Sequence, residues 1–264
     1  VAFTRGPGLL GSLLVGVSFA KSFALAQAIP IIEVNHMQGH ILAHFIKNKT
    51  QENNPPKFPF LCLTVSGGHT QIVKIENHLS FELLGETIDD AAGEAFDKSA
   101  KILGLPYPGG PLIDKYAKQG DKSAFTFGKH KVKELNFSVS GLKTSILYTI
   151  QKQQKLNPKF IEENLNNLCA SIQHSIVTIL IEKIVKASEQ TGITQIAIAG
   201  GVSANSSLRK SLQNLENSHS LTTYIPPFSY CTDNAGMIAI TGYFKYLKKD
   251  FSNQGVTPKS RMAI

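Results

Sequence analysis

The stretch Phe60-Leu61-Cys62-Leu63-Thr64-Val65-Ser66-Gly67-Gly68-His69-Thr70-Gln71-Ile72-Val73-Lys74-Ile75 decides the fold of this chain. Two apolar runs flank a Ser-Gly-Gly-His turn, and this pattern predicts two strands joined as a tight hairpin. A second interpretation is a phosphate-binding turn, because paired glycines let the backbone approach an anion while Ser66 and Thr70 offer hydroxyl donors. Taken alone, the pattern favours the hairpin and leaves the anion site open.

A second glycine turn lies in the C-terminal third, at Gly200-Gly201-Val202-Ser203-Ala204-Asn205. The apolar run 195–199 before it predicts a buried strand, and residues 206–215 after it predict a helix. The glycines remove side chains where an adenine or a ribose would lie, and Asn205 can both donate and accept hydrogen bonds. The turn is therefore a second predicted nucleotide contact.

Residues 89–104 predict a helix with an acidic first turn and Gly104 as its C-terminal cap. Acidic residues usually cap the start of a helix, but Asp97 lies two turns in and could instead meet a ligand hydroxyl. The sequence Pro108-Gly109-Gly110-Pro111 then predicts a rigid bend that exposes main-chain amides, with Asp114 on the following helix.

Further along, the segment Phe137-Ser138-Val139-Ser140-Gly141-Leu142-Lys143 precedes a predicted helix. Its hydroxyls and lysine fit an anion site and, equally, a serine-capped helix start. Residues 158–191 carry a helical pattern with an apolar stripe, which predicts a core helix. We predict that His174 in this helix is structural or exposed rather than a ligand.

Two histidines stand four residues apart in Asn35-His36-Met37-Gln38-Gly39-His40. On a helix this spacing turns both rings to one face, where they could hold one divalent metal. Asp233 is the best candidate for a third ligand, because it is predicted to open a helix and to direct its carboxylate at the site. Spacing alone leaves ordinary surface histidines as the alternative.

The N-terminal stretch 9–32 is apolar enough to be tested as a membrane segment or signal peptide. Lys21 and several glycines interrupt the apolar run, and no basic leader precedes it. We therefore predict a buried helix that Pro30 ends, followed by a short strand at 31–34. Residues 1–4 look like the interior of a strand without an initiator methionine, so we expect an N-terminal portion to be absent.

Composition is that of a soluble globular protein: 264 residues, 42% hydrophobic and 17% charged. This length allows one large or two modest domains. The net charge of +8 and a pI near 9.3 favour a polyanionic partner such as nucleic acid. The cysteines Cys62, Cys169 and Cys231 lack paired spacing, which argues against a disulfide framework or a cysteine zinc site and fits a reducing cytoplasm.

Seven motifs in one order closely resemble the TsaD family of tRNA N6-adenosine threonylcarbamoyltransferases. They lie at 36–40, 65–70, 89–98, 107–111, 137–143, 200–205 and 232–234. The resemblance implies the actin-like ATPase (ASKHA) class of α/β fold, with two related domains around a nucleotide cleft and the first domain incomplete. We expect residues 1–57 to belong to the first domain, 58–232 to form the second, nucleotide-binding domain, and 233–264 to return to the first.

The resemblance also assigns site residues, position by position. His36, His40 and Asp233 match the family's ligands for one divalent metal, with Fe²⁺ as the expected ion and Zn²⁺ as the alternative. The positions that match those binding threonylcarbamoyl-AMP are Thr64, Val65, Ser66, Gly67, Gly68, Asp97, Gly110, Asp114 and Asn205.

The implied reaction transfers the threonylcarbamoyl group from threonylcarbamoyl-AMP to N6 of the tRNA adenosine 3′ of the anticodon, releasing AMP. In this scheme the metal orients and polarises the adenylate, and the basic surface holds the anticodon arm. The implied partners are tRNA and other proteins of the same modification complex, including a shorter ASKHA paralogue and an ATPase. No membrane is implied, and the expected location is cytoplasmic.

Two departures from the family pattern stand out. Gln38 replaces the usual Glu between the histidines, and on a helix it would project away from the metal face. Nothing matches the family's opening Ser-Cys-Asp-Glu-Thr-like run, so we expect this chain to transfer weakly on its own.

Two rival functions remain on the sequence. A non-catalytic scaffold partner is disfavoured because it would have no use for His36, His40 and Asp233. A metallopeptidase is disfavoured because Gln38 cannot serve as its general base.

Overall fold

The computed structural model describes residues 1–47, 54–128 and 132–264. Its strands are β1 Ala2–Gly6, β2 Ile32–Asn35, β3 Phe60–Val65, β4 Thr70–Asn77, β5 Ser80–Glu86, β6 Gln195–Ala199 and β7 Thr222–Tyr224. Its helices are α1 Leu10–Ala26, α2 His36–Leu42, α3 Ala92–Ile102, α4 Gly109–Ala117, α5 Ser140–Leu156, α6 Phe160–Thr191, α7 Ser206–His219, α8 Phe228–Cys231 and α9 Ala235–Leu247. Short 3₁₀ turns lie at Ala43–Phe45 and Gly201–Ala204.

The larger sheet has the strand order β5-β4-β3-β6-β7, with β3 antiparallel to β4 and parallel to β6. The predicted hairpin is therefore confirmed. Leu61 pairs with Ile196 and Thr64 with Ala199, so β3 and β6 end at the same edge of the sheet. The two glycine turns consequently lie side by side. At Gly200 the backbone φ is +87°, and an added Cβ would stand 2.5 Å from the carbonyl oxygen of Val65, so this close approach requires glycine.

Strand β3 is buried along its whole length because helices cover both faces of the sheet. Leu61 and Leu63 pack into the core that includes α6, whereas Phe60 and Cys62 pack on the other side with Ile41 of α2. Burying such side chains is worth roughly 1.5–3 kcal/mol each. The second core therefore holds α2, which carries the paired histidines, against the sheet.

The smaller sheet consists of β1 and β2, which run parallel and are joined through α1. The predicted helix is confirmed, but the prediction that it is buried is wrong. Its buried face comprises Leu13, Val17, Ala20 and Ala24, while Val15 and Phe19 are 72% and 70% exposed. The helix is apolar all round, but the described residues cover one of its faces. It also ends at Ala26, four residues before Pro30.

Helix α6 confirms the predicted core helix. Residues along its apolar stripe, including Ile172, Ile176 and Ile184, are buried, and His174 is exposed as predicted. By length and composition α6 could cross a membrane, yet 67% of its most apolar window is buried inside the fold, as in the core helix of a globular protein.

The predicted helix at 89–104 is confirmed, but its predicted start is wrong: α3 begins at Ala92, and the acidic residue of its first turn is Glu94 rather than Asp89. Asp89 instead accepts hydrogen bonds from the hydroxyls of Ser138 and Ser140 and from the amide of Val139, at the start of α5. Burial opposes ionisation of Asp89, but these hydrogen bonds outweigh it and lower its pKa. The anion at the N-terminus of α5 is thus the chain's own carboxylate, and both serine hydroxyls are occupied.

Candidate metal and nucleotide site

Two histidines and an aspartate converge where α2 meets the segment before α9. Oδ1 of Asp233 lies 3.3 Å from Nε2 of His36 and 3.2 Å from Nε2 of His40. The two rings meet edge to face with centroids 4.8 Å apart. His40 is buried, His36 is partly buried, and Asp233 is 77% exposed. The predicted trio therefore comes together in the fold.

Local capping explains how this cluster is placed. The side chain of Asn35 accepts hydrogen bonds from the amides of Met37 and Gln38, which starts α2 directly after β2. The prediction that Asp233 opens a helix is wrong. Helix α9 begins at Ala235 with Asn234 as its N-cap, and Asp233 precedes that cap.

A buried histidine one turn beyond the cluster joins α2 to the sheet. Nε2 of His44 lies 2.9 Å from the carbonyl oxygen of Ile198 in β6. A carbonyl can only accept, so Nε2 carries a proton and donates it to Ile198. Burial lowers the pKa of His44 to about 4, although the hydrogen bond to Ile198 acts in the opposite direction.

The donor set and spacing of the cluster fit a divalent cation. Ligand atoms bound at 2.0–2.1 Å around a tetrahedral ion lie about 3.3 Å apart, close to the two distances from Asp233 to the histidines. Hydrogen bonds from His36 and His40 strongly lower the pKa of Asp233, so its carboxylate stays ionised. Nδ1 of His40 is buried and finds no hydrogen-bond partner among the residues the structure describes.

A cleft of about 510 Å³ opens beside the edge where β3 and β6 end, within the usual size range of ligand pockets. Four of the five chain segments that line it lie at or next to the predicted glycine turns and acidic residues. The lining residues are Gly67, Gly93, Phe96, Asp97, Tyr107, Pro108, Gly110, Pro111, Asp114, Gly201, Val202, Ala204, Asn205 and Thr232. Because Thr232 lines the cleft and Asp233 contacts both histidines, the cleft adjoins the metal-capable cluster.

Asp97 lines this cleft and also starts the next helix. Its Oδ1 accepts hydrogen bonds from the amides of Gly109 and Gly110 at 2.8 and 3.2 Å. The bend at 108–111 was predicted to expose main-chain amides, and for these two amides the prediction is wrong because Asp97 occupies them. The second carboxylate oxygen of Asp97 has no hydrogen-bond or ion-pair partner in the described part of the chain and is available to a ligand.

Asn205 and Asp114 likewise combine cleft lining with structural bonds around the start of α7. The Asn205 side chain accepts from the amide of Leu208 and donates to Oε1 of Gln173 at 2.6 Å. Oδ1 of Asp114 accepts from both the amide and the hydroxyl of Ser206. Three of the polar residues predicted for the adenylate, Asp97, Asp114 and Asn205, are therefore held in place by hydrogen bonds within the protein.

The remaining predicted residues lie at or near the β3–β4 turn. Thr64 and Val65 are fully buried, and the Thr64 hydroxyl donates to the carbonyl of Gln71. Ser66 closes the turn through His69, and the hydroxyl of Thr70, which was considered as an anion donor, accepts from the amide of Ala92. By contrast, a Cβ placed on Gly67, Gly68 or Gly201 would meet no atom within 4 Å. These glycines therefore face open space, in which a ligand could approach the backbone.

Three residues near the site were not singled out by their sequence pattern. His69 lies close enough to His36 for the charge of His36 to reinforce burial in lowering the pKa of His69, while Glu86 acts in the opposite direction. Tyr107 stands at the cleft with its side chain exposed, and Arg209 ties the turn Gly201–Ala204 to the loop before Asp233. Only His69, inside a glycine turn already under attention, carried a usable sequence signal.

The sheet topology, with a cleft where parallel strands end, defines an α/β protein of the actin-like ATPase class. The fold is similar to the crystal structure of T. kodakarensis HypF, with a TM-score of 0.66 at 14% identity over 89% of this chain and 39% of that one. A second HypF structure, in the phosphate- and nucleotide-bound form, gives a TM-score of 0.59 at 13% identity, covering 86% of this chain and 37% of that chain.

Sequence comparison identifies the family. The family model for TsaD, tRNA N6-adenosine threonylcarbamoyltransferase, matches residues 1–240. A protein of that name from Christiangramia forsetii is 62% identical over 99% of this chain and 76% of its own length, and one from Phocaeicola vulgatus is 56% identical over 100% and 78%. The chain belongs to the TsaD family, and it is a transferase of tRNA modification. It spans about three quarters of the length of these relatives.

Proposed function

We propose that the chain transfers the threonylcarbamoyl group of threonylcarbamoyl-AMP to N6 of the tRNA adenosine 3′ of the anticodon and releases AMP. One observation carries the proposal. A nucleotide-sized cleft and a His-His-Asp cluster adjoin through the consecutive residues Thr232 and Asp233. Such an arrangement can hold an adenylate while presenting its acyl end to the cluster.

The cleft offers the contacts that an adenylate requires. Gly67 and Gly201 leave their main-chain amides approachable by phosphate oxygens. The second carboxylate oxygen of Asp97 is available to a hydroxyl donor such as that of a ribose, whereas Oδ2 of Asp114 lies 3.9 Å from Nζ of Lys118. Pro108, Pro111 and Val202 supply an apolar surface for the base. The rest of the proposed binding set shapes the two glycine turns and the start of α4. These residues are Thr64, Val65, Ser66, Gly68, Gly110 and Asn205.

We further propose that His36, His40 and Asp233 hold one divalent ion, with Fe²⁺ as the preferred ion and Zn²⁺ as the alternative, since two imidazoles and a carboxylate suit both. When bound, the ion supplies Lewis acidity to oxygens of the adenylate. Nε2 of His40 is the ring nitrogen that faces Asp233, so it is the atom that would ligate the ion.

In the proposed reaction the adenosine N6 attacks the carbamoyl carbon. A nitrogen–carbon bond forms, the bond from that carbon to the phosphate oxygen breaks, AMP leaves with the electron pair, and one proton leaves N6. The rigid anchoring of Asp97 and Asn205 keeps the donor oriented during this step.

The remaining assignments concern organisation and partners. We propose that residues 1–57 and 233–264 form one unit and 58–232 the other, in line with the packing of α9 against α2, β1 and β2. The net charge of +8 supports tRNA as the partner. We propose a cytoplasmic complex that includes a shorter ASKHA paralogue and an ATPase.

The test is a transfer assay with synthetic threonylcarbamoyl-AMP and unmodified tRNA, with the proposed partner proteins present. The expected result is threonylcarbamoyladenosine in digested tRNA and AMP in equal amounts, both lost in Asp233→Asn and retained in the control Asp250→Asn. AMP release without modified nucleoside would mean that the chain only hydrolyses threonylcarbamoyl-AMP, and it would contradict the proposal.

A further inference from the structure

We infer that Phe228 and Tyr107 are stacking platforms for unpaired bases of the RNA loop that carries the acceptor adenosine. The inference rests on the proposed function, because it deepens the description of the same site. It starts from two exposed aromatic side chains. Tyr107 lines the cleft and is 85% exposed, and Phe228 is 66% exposed and is joined through Arg209 to the turn that lines the cleft. Leaving large aromatic surfaces in water next to a binding cleft is typical of a recognition surface.

Arg209 packs against the ring of Phe228. The guanidinium carbon lies 4.3 Å from the centroid of the Phe228 ring, in cation–π geometry. The same guanidinium donates to the carbonyl oxygens of Ser203 and Pro226, both at 3.1 Å. Ser203 belongs to the turn that lines the cleft, so Arg209 fixes the phenyl ring relative to the proposed adenylate position. Phe228 nevertheless remains 66% exposed.

Tyr107 borders the same cleft from the segment between α3 and α4. It directly precedes Pro108, which lines the cleft, and the amide of the following Gly109 is bound by Asp97. In the described part of the chain, the Tyr107 side chain has no aromatic partner and no hydrogen-bond partner, and it is 85% exposed. The ring is therefore an exposed surface on an anchored backbone.

Unpaired RNA bases are the occupant that fits these two rings best. An anticodon loop presents unstacked bases, and proteins bind such bases by stacking them on aromatic rings. The net charge of +8 supplies the attraction for the phosphates, which stacking residues do not provide. Substrates of the family are tRNAs, so the loop must come to the cleft for its adenosine to react.

The test measures binding of a synthetic anticodon stem-loop and of a fully paired RNA of equal length to the full chain by fluorescence anisotropy. Phe228→Ser and Tyr107→Ser are each expected to weaken stem-loop binding by about 5- to 100-fold and to leave duplex binding unchanged. Phe228→Trp should restore stem-loop binding. Tyr148→Ser, which removes an aromatic ring that is 65% exposed on α5, is the matched control and should bind both RNAs like the wild type.

Affinity for AMP, measured by calorimetry on the same variants, separates the alternatives. Unchanged stem-loop affinity in both variants would overturn the inference, as would equal losses for stem-loop and duplex. Loss of AMP affinity in Tyr107→Ser would identify that ring as an adenine contact of the donor, and loss of partner-protein binding alone would identify a protein interface. Absence of transfer in the wild type would contradict the proposed function, while ring-dependent stem-loop binding would persist.

Discussion

The amide of Gly109 donates a 2.8 Å hydrogen bond to Oδ1 of Asp97, which joins the wall of the cleft to the first turn of α4. The same oxygen also accepts from Gly110. One carboxylate thus starts a helix with one oxygen and faces the proposed ligand with the other. Substitutions can separate the role of Asp97 at the start of the helix from its proposed role in ligand binding.

Asp97→Asn keeps an acceptor for both amides but removes the charge, whereas Asp97→Ala removes both. We expect Asp97→Ala to lower the free energy of unfolding by about 1–2 kcal/mol and Asp97→Asn by less. Both should weaken AMP binding. Urea denaturation and calorimetry make the comparison. Asp121→Asn, at an aspartate that accepts from the amide of Ser123 outside the cleft, serves as the control. Equal losses in the free energy of unfolding for the two Asp97 variants would contradict the assignment of separate structural and binding roles to Asp97.

The metal-capable cluster predicts cooperative loss of the ion. His36→Ala, His40→Ala and Asp233→Ala should each lower metal affinity about tenfold or more, because each removes one of three donors. Elemental analysis after dialysis against Fe²⁺ or Zn²⁺ measures the bound ion. His219→Ala, at an exposed histidine outside the cluster, should retain it. Full metal content in His36→Ala would disprove the trio.

The open space around Gly67 gives a test of ligand approach with little risk to the fold. A Cβ at this position would meet no protein atom within 4 Å, so Gly67→Val should remain folded while its side chain enters the space proposed for the adenylate. We expect AMP affinity to fall at least about tenfold with metal content unchanged. Gly11→Val, at a glycine that is equally open on α1, controls for the added bulk. AMP affinity equal to that of the wild type would exclude Gly67 from the site.

His44 predicts a defined loss of stability in acid. Its pKa is about 4 in the fold and 6.5 as the reference value, so between these the unfolded chain binds more protons. The contribution of His44 to the free energy of unfolding should therefore be fully present above pH 6.5. It should be lost as the pH falls toward 4, which lowers the free energy of unfolding by up to about 3 kcal/mol. Urea denaturation in chelator at about pH 7 and about pH 4.5 measures it. His44→Gln, which keeps a donor for Ile198, should show a shallower pH dependence; an unchanged dependence would refute the assignment.

Local patterns predicted the fold where the cause is local. The strands of the hairpin, the core helix α6 and the Gly104 cap of α3 depend on alternation, periodicity and backbone conformation within a few residues. The predicted start of α3 lies before the actual one because the partners that hold Asp89 outside the helix, Ser138 and Ser140, lie about fifty residues away in the sequence. No local pattern contains that information.

The site shows the same division. The spacing of His36 and His40 predicted a shared face, and Asp233 was expected to join them from the start of a helix, an assignment that the family resemblance repeated. The three residues meet, but Asn234 rather than Asp233 caps α9. The burial of α1 was misjudged because an apolar helix does not specify which of its faces has a neighbour.

The central claim is that the cleft and the His-His-Asp cluster act as one site for an adenylate. The most direct measurement is calorimetric titration of the metal-loaded chain with a non-hydrolysable threonylcarbamoyl-adenylate analogue, alongside His40→Ala, Gly67→Val and His219→Ala. The account predicts one molecule bound per chain, with affinity lowered about tenfold or more in His40→Ala and Gly67→Val and unchanged in His219→Ala. Binding by His40→Ala as tight as by the wild type would contradict it.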